Sequence, residues 1–511
     1  YSRQVNYAYD NYGRMTQTTQ DPSKALAVQS VFSSFNAFGS PTLITVSASG
    51  INNRTSNVGY DTKGRFILSK TNPLSHTSSA TFDARWGKPL TETGIDGQTV
   101  EYTYDAFGRL ASFTNIYDTV STYSYQWTST PANAVYYAKD AIKGAPDETR
   151  YYDLKNRKIR TQNEVFDALK YTDVQYNTHG QVYRISKPHF GTPKWITNGY
   201  DSYGRKISEQ EQDITAATWD YNGNTITFTN PGGQETTTVY DAAGRVLSVE
   251  DDENGLITYK YNSNGNPDSV ITNGIVTRME YDDYANRTHL HDPDAGTSSY
   301  SYDALGLLIS ETDAKSQTRS RQYNNLGQIT QMTGPEGTTT YTYSSSGVSK
   351  EKLTQITGWD SNTITYSYDS YGRLSSDALF VYAASKTMTQ SYQYDTYGRL
   401  SSLIYPGGFA INYAYNAQGI MFNMKRGDTN ASIWTAITRT PLNQPGASKL
   451  GNGMFETYSY DNYNNVSVIA YTYSSAGGGV QSILSETENI SSNNENVIDG
   501  SSLLTTTTYY R

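Results

Sequence analysis

The string Tyr-Asp-x-x-Gly-Arg stands seven times in this chain, and nothing else constrains its fold as strongly. The copies are Tyr9-Asp10-x-x-Gly13-Arg14, Tyr60-Asp61-x-x-Gly64-Arg65, Tyr104-Asp105-x-x-Gly108-Arg109, Tyr200-Asp201-x-x-Gly204-Arg205, Tyr240-Asp241-x-x-Gly244-Arg245, Tyr368-Asp369-x-x-Gly372-Arg373 and Tyr394-Asp395-x-x-Gly398-Arg399. Looser copies fill the intervals, among them Phe35-Asn36, Phe82-Asp83, Tyr152-Asp153, Tyr176-Asn177, Trp219-Asp220, Tyr261-Asn262, Tyr281-Asp282, Tyr302-Asp303, Tyr323-Asn324, Tyr415-Asn416 and Tyr460-Asp461. Spacings run mostly from 19 to 26 residues, and gaps of 48 and 45 residues after Tyr104 and Tyr415 are each expected to hold one degenerate copy. A fixed period of this length is the signature of a repeat architecture.

Each motif position has a mechanical reason. Asp or Asn suits the first position of a type I turn, and Gly the position that closes it. That Gly is expected at positive φ, completing a three-residue hairpin loop with a bulge. A second turn signal separates the motifs, as at Pro231-Gly232-Gly233, Pro335-Glu336-Gly337 and Pro406-Gly407-Gly408. Period-two stretches such as Thr339-Thr340-Tyr341-Thr342-Tyr343 then lead into the next motif. One repeat reads as strand, turn, strand, turn, and no helical stretch is expected.

The copies and gaps amount to about 20 repeats, or about 40 strands, and at ~4.8 Å per strand the sheet would be roughly 190 Å wide. Open sheets rarely pass ~10 strands without curling. The expected fold is all-β, with repeated hairpins forming a long spiralling sheet, a hollow barrel-like wall. A pair of β-propellers is the alternative architecture. Tyrosine outnumbers phenylalanine 47 to 14. Pairs such as Tyr102 and Tyr104, or Tyr413 and Tyr415, are two apart and share a strand face. The expectation is an aromatic ladder of largely buried motif tyrosines, with each motif Arg packed on a Tyr.

At these residues the chain resembles the YD-repeat, or Rhs-repeat, proteins: bacterial Rhs toxins, the B and C components of insecticidal Tc toxins, wall-associated repeat proteins and teneurins. The resemblance covers Tyr9 to Tyr460. It implies a shell that in the bacterial toxins encloses a C-terminal toxin and in teneurins serves adhesion. Residues 1–473 are expected to form the array, 474–502 a Ser/Asn/Gly-rich loop or linker, and 503–511 the start of a further repeat, the whole reading as a stretch of a longer protein. The resemblance makes it a non-catalytic shell segment of a secreted bacterial toxin, whose partners are its own payload or other shell segments. The alternative is a cell-surface adhesin or a carbohydrate-binding strip.

Composition excludes several classes. With no cysteine there are no disulfides, thiolate metal sites or thiol nucleophiles. A net charge of -9 has the wrong sign for a nucleic-acid binder. No apolar run is long enough to span a membrane. No cofactor or metal is expected and no catalytic set is readable. The features weighed are His289-Leu290-His291-Asp292, whose imidazoles share a strand face; Arg426-Gly427-Asp428, an adhesion-type tripeptide; and Asp292-Pro293-Asp294-Ala295-Gly296, which resembles a self-cleavage segment but sits at a turn position.

Overall fold

A computed structural model describes residues 4–166, 168–461, 465–474 and 480–487. They form antiparallel strands of five to nine residues that pair with the strands next to them in the chain. The helical elements among them are two single 3-10 turns, Gly347–Ser349 and Tyr382–Ala384. The hairpin reading holds: the motif forms one turn of each repeat, here the motif turn, and the second signal forms the opposite one, the return turn.

The chain divides into two compact units. Unit 1 comprises Tyr1–Asp118 and Thr238–Gln390; unit 2 comprises Thr119–Thr237 and Ser391–Arg511. Each unit therefore contains an earlier and a later run of hairpins.

Both long gaps contain a degenerate copy. After Tyr415 it is Thr440-Pro441-Leu442-Asn443-Gln444, where Asn443 takes the glycine's place at φ 63° and donates its N–H to the Thr440 carbonyl. After Tyr104 a wider loop runs from Thr128 to Val135, with Asn133 at φ 69°. Asn tolerates this left-handed conformation better than other non-glycine residues.

Little of the sheet is deeply covered. Among the described residues the buried apolar side chains are small: Ala134, Ala138, Val165, Val174, Ala217 and Ala436. Most strand positions are half-buried. Stability must therefore come from contacts between successive hairpins rather than from a packed interior. Within 474–502, expected to be loop or linker, Val480–Thr487 pairs as a strand with Val466–Ser474. The rest of that stretch and all of 503–511 lie outside the described residues.

Candidate functional site

The motif turn is built around its Asp. In the third full copy, Asp105 Oδ1 accepts the N–H of Phe107 and of Arg109, both at 2.9 Å, and Oδ2 accepts Arg109 Nε at 2.7 Å. The same three bonds recur at Asp10, Asp201, Asp241, Asp369 and Asp395. Asp61 departs: its loop is one residue longer, closing from Asp61 N–H to the Phe66 carbonyl. The motif glycines Gly13, Gly64, Gly108, Gly204, Gly244, Gly372 and Gly398 all have φ between 65° and 83°. The register slips by one residue at the motif Tyr, as between Ser367 and Tyr368, which is the expected bulge.

These carboxyls sit below the ordinary carboxylate range. At Asp105, Asp201, Asp369 and Asp395 lost hydration raises the value most, but the N–H groups and guanidinium of the motif Arg together outweigh it. At Asp241 the backbone N–H of Arg245 is the largest influence and lowers it directly. A carboxyl whose folded pKa is depressed stabilises the fold above its unfolded pKa, ~3.9, and that contribution disappears as pH falls through the lowered folded value. The melting temperature should therefore hold level from about pH 7 to pH 5 and fall steeply below about pH 4. A melting temperature unchanged down to about pH 3 would show that the turn carboxylates contribute nothing.

Successive repeats are joined by Tyr and Arg: the packing of Arg on Tyr was expected, the bond from the Tyr hydroxyl was not. The Tyr415 hydroxyl donates to the Leu400 carbonyl at 2.8 Å, and Leu400 directly follows the preceding motif's Arg399. The Leu400–Ile404 and Ala410–Tyr415 strands pair from Ser402 outward, so they part at Leu400 and the Tyr415 ring enters the opening. Equivalent bonds join Tyr60 to Pro41, Tyr104 to Pro89, Tyr200 to Val182, Tyr261 to Val246, Tyr323 to Leu308, Tyr368 to Leu353 and Tyr460 to Pro445, at 2.6–3.3 Å. Burial pushes the Tyr415 and Tyr368 phenols up.

Arg completes the joint. Arg399 lies 4.4 Å over the ring of Tyr415 in the next repeat, and 4.8 Å over Tyr397 in its own turn. Arg245 lies over Tyr261 at 4.7 Å, Arg205 over Tyr221 at 4.3 Å and Arg157 over Tyr176 at 4.4 Å. The expected ring-on-ring ladder of buried tyrosines is thus corrected. Motif tyrosines are half-buried, Tyr9 is 61% exposed, and a guanidinium mostly stands where the neighbouring ring was expected. Direct stacking occurs locally, as between Tyr136 and Tyr152 at 4.9 Å. The planar cation serves the ring face and the Asp at once, which a second phenol could not do. Tyr415→Phe would leave the Leu400 carbonyl without its donor and should cost about 1–2 kcal/mol, while Tyr9→Phe should be near neutral. Equal midpoints in urea for the two variants would remove the hydroxyl from this account.

Within each unit, return turns of the earlier run meet motif turns of the later run. In unit 1, Leu26 N–H donates to the Tyr284 hydroxyl at 2.9 Å, and Lys24 pairs with Asp283 at 3.4 Å. His76 Nδ1 lies 2.7 Å from Glu351, Lys350 reaches the Ile95 carbonyl at 3.0 Å, and Tyr117 meets Tyr371 edge-on at 5.1 Å. In unit 2, Arg399 Nη1 donates to the Gly144 carbonyl at 3.2 Å. Contacts in both units join residues 254 to 279 positions apart. No sequence signal marks these pairings individually.

The remaining candidates resolve into local structure. His289 and His291 share a face, as expected, with rings 5.9 Å apart, and Glu280 lies 3.2 Å from both. Arg278 stands opposite His291 in the strand register and lines the same depression. Among the described residues no cluster of His, Asp and Glu has metal-binding geometry. Arg426 is bidentate on Asp428 of its own tripeptide, at 3.0 and 2.7 Å. Asp292 Oδ1 accepts the N–H groups of Asp294 and Ala295, a return turn closed by Gly296 at φ 82°. No helix among the described residues is long and apolar enough to cross a membrane.

Residues 142–316 match the Teneurin YD-shell family and residues 302–339 the RHS Repeat family. The fold is similar to that of TcdB2-TccC3, with 14% identity and a TM-score of 0.76 over 94% of this chain and 30% of that one. It is similar to TcdB2-TccC3 without its hypervariable C-terminal region, with 13% identity and a TM-score of 0.78 over 95% and 35%. It is also similar to the Photorhabdus luminescens Tc holotoxin pore, with 12% identity and a TM-score of 0.78 over 95% and 34%. The chain spans about a third of the length of these solved chains. No curated protein matches it significantly in sequence.

Proposed function

Because this chain carries the repeats of the YD/Rhs family, we propose that residues 1–473 are structural shell wall of a secreted toxin complex, enclosing a polypeptide payload. The motif residues build that wall; they do not act on a substrate. The observation that carries this is the joint between repeats. At the Arg399–Tyr415 joint and those like it the motif spends its chemistry internally: Asp on its own turn, Arg on Asp and the next ring, Tyr on the previous repeat's carbonyl. Turn edges are then held to turn edges within each unit. A sheet sealed in this way suits a barrier. The likeness to TcdB2-TccC3 and to a Tc holotoxin supports the toxin setting.

The test is protection. A protease-sensitive reporter fused after Arg511 should be cut at least about tenfold more slowly than the free reporter, which corresponds to ~1.4 kcal/mol in accessibility. Cutting at the free rate would overturn enclosure.

A further inference from the structure

Resting on the shell-wall reading, we propose that the motif turns of the earlier run in unit 1 are a docking surface for a second copy of this chain, stacked head to tail. The fourth motif position carries the argument. In the later run the aromatics at that position are half-buried under return turns: Tyr284 takes the Leu26 N–H and lies 5.4 Å from Lys24 Nζ, and Tyr371 meets Tyr117. In the earlier run the equivalent aromatics face solvent. Tyr12 is 85% exposed, Phe38 61% and Phe107 76%.

Single exposed aromatics are ordinary; several on one edge at one repeat position make an interaction surface. Two rings on this edge are shelved on the next turn: a Cβ at Gly64 would stand 2.5 Å from the Phe38 ring, and one at Gly108 would stand 2.6 Å from Trp86. Lys63 and Arg85 hold the equivalent position in the two turns between Phe38 and Phe107.

The occupant follows from the seam already present. Return turns are what cover motif turns within unit 1. The later run of unit 1 exposes its own return turns, with Trp359 58% and Tyr382 62% exposed. One molecule therefore carries both halves of the seam on opposite strand ends. Two different patches meeting head to tail form an open series rather than a closed dimer.

Sedimentation velocity tests this between about 1 and about 200 µM, the range of weak specific association. The chain should form dimers and longer species as concentration rises. Y12S/F38S/F107S and W359S/Y382S should each stay monomeric, weakened at least about tenfold, because aromatic anchors dominate such interfaces. Their mixture should give dimers and nothing longer, since each variant retains the half the other has lost. A chain monomeric throughout the range overturns the proposal. So does a mixture of folded variants that fails to dimerise while the parent associates. Quenching of Trp86 by cello-oligosaccharides that also dissolves the oligomers would assign this edge to sugars instead. Reporter protection does not depend on association, so the shell reading and the docking surface can fail separately.

Discussion

Gly419→Ala should destabilise the protein far more than Gly244→Ala, although both glycines close motif turns. Their backbones are alike, with φ of 74° and 79°. An alanine in the left-handed region costs about 1–2 kcal/mol whatever surrounds it. At Gly244 nothing lies within 4 Å of the added carbon, so that strain is the whole effect. At Gly419 the added carbon would collide with the backbone carbonyl oxygen of Gly144 and stand 3.2 Å from Arg399 Nη1. Backbone cannot swing aside as a side chain does. Relief requires Gly144 to lift off, breaking the 3.2 Å bond from Arg399. The combined cost should be on the order of 3–4 kcal/mol. Urea midpoints should separate the two variants clearly, and hydrogen exchange should quicken around residues 143–146 in the Gly419 variant alone. Equal midpoints would mean that the two runs of unit 2 do not press together there.

Arg399→Lys is the second large effect, despite its conserved charge. Arg399 places two nitrogens on Asp395 Oδ2, at 2.6 and 2.7 Å, and a third on the Gly144 carbonyl. Its plane lies between Tyr397 and Tyr415. A lysine has one ammonium and no plane, so it can keep one of these contacts but not all. Arg245, bonded to Asp241 and stacked on Tyr261, is the control. Arg399→Lys should cost about 2–3 kcal/mol and Arg245→Lys about 1 kcal/mol. A double-mutant cycle of Arg399→Lys with Tyr415→Phe should show a coupling of at least about 0.5 kcal/mol, because both changes act on one joint. Additive effects would mean that ring, guanidinium and carbonyl do not work as a unit.

Legibility followed range. The Asp-x-x-Gly turn was readable because its bonds close within four residues, as from Asp105 to Arg109. The degenerate copy at Thr440–Gln444 was expected from spacing alone, and its Asn443 shows why the motif could vary: the turn demands a left-handed residue, not glycine itself. The aromatic ladder went wrong one step further out. Period two correctly places Tyr413 and Tyr415 on one face, but it says nothing of which side chain arrives from the neighbouring hairpin. A guanidinium tethered to Asp395 reaches that site before another ring can.

By itself the sequence determined the alternation of strands and turns, the positive φ at each motif glycine and the Asp or Asn side chain that caps the motif turns, because backbone sterics and short loops admit few alternatives. Tertiary structure alone decided the rest. The bulge and the parting of strands at Leu400 create the opening that Tyr415 fills, which depends on two hairpins meeting. The pairings of Leu26 with Tyr284 and of Gly144 with Arg399, 258 and 255 residues apart, depend on where the chain returns after many hairpins. That return reflects twist accumulated over every strand between, a sum to which no single residue contributes enough to be read.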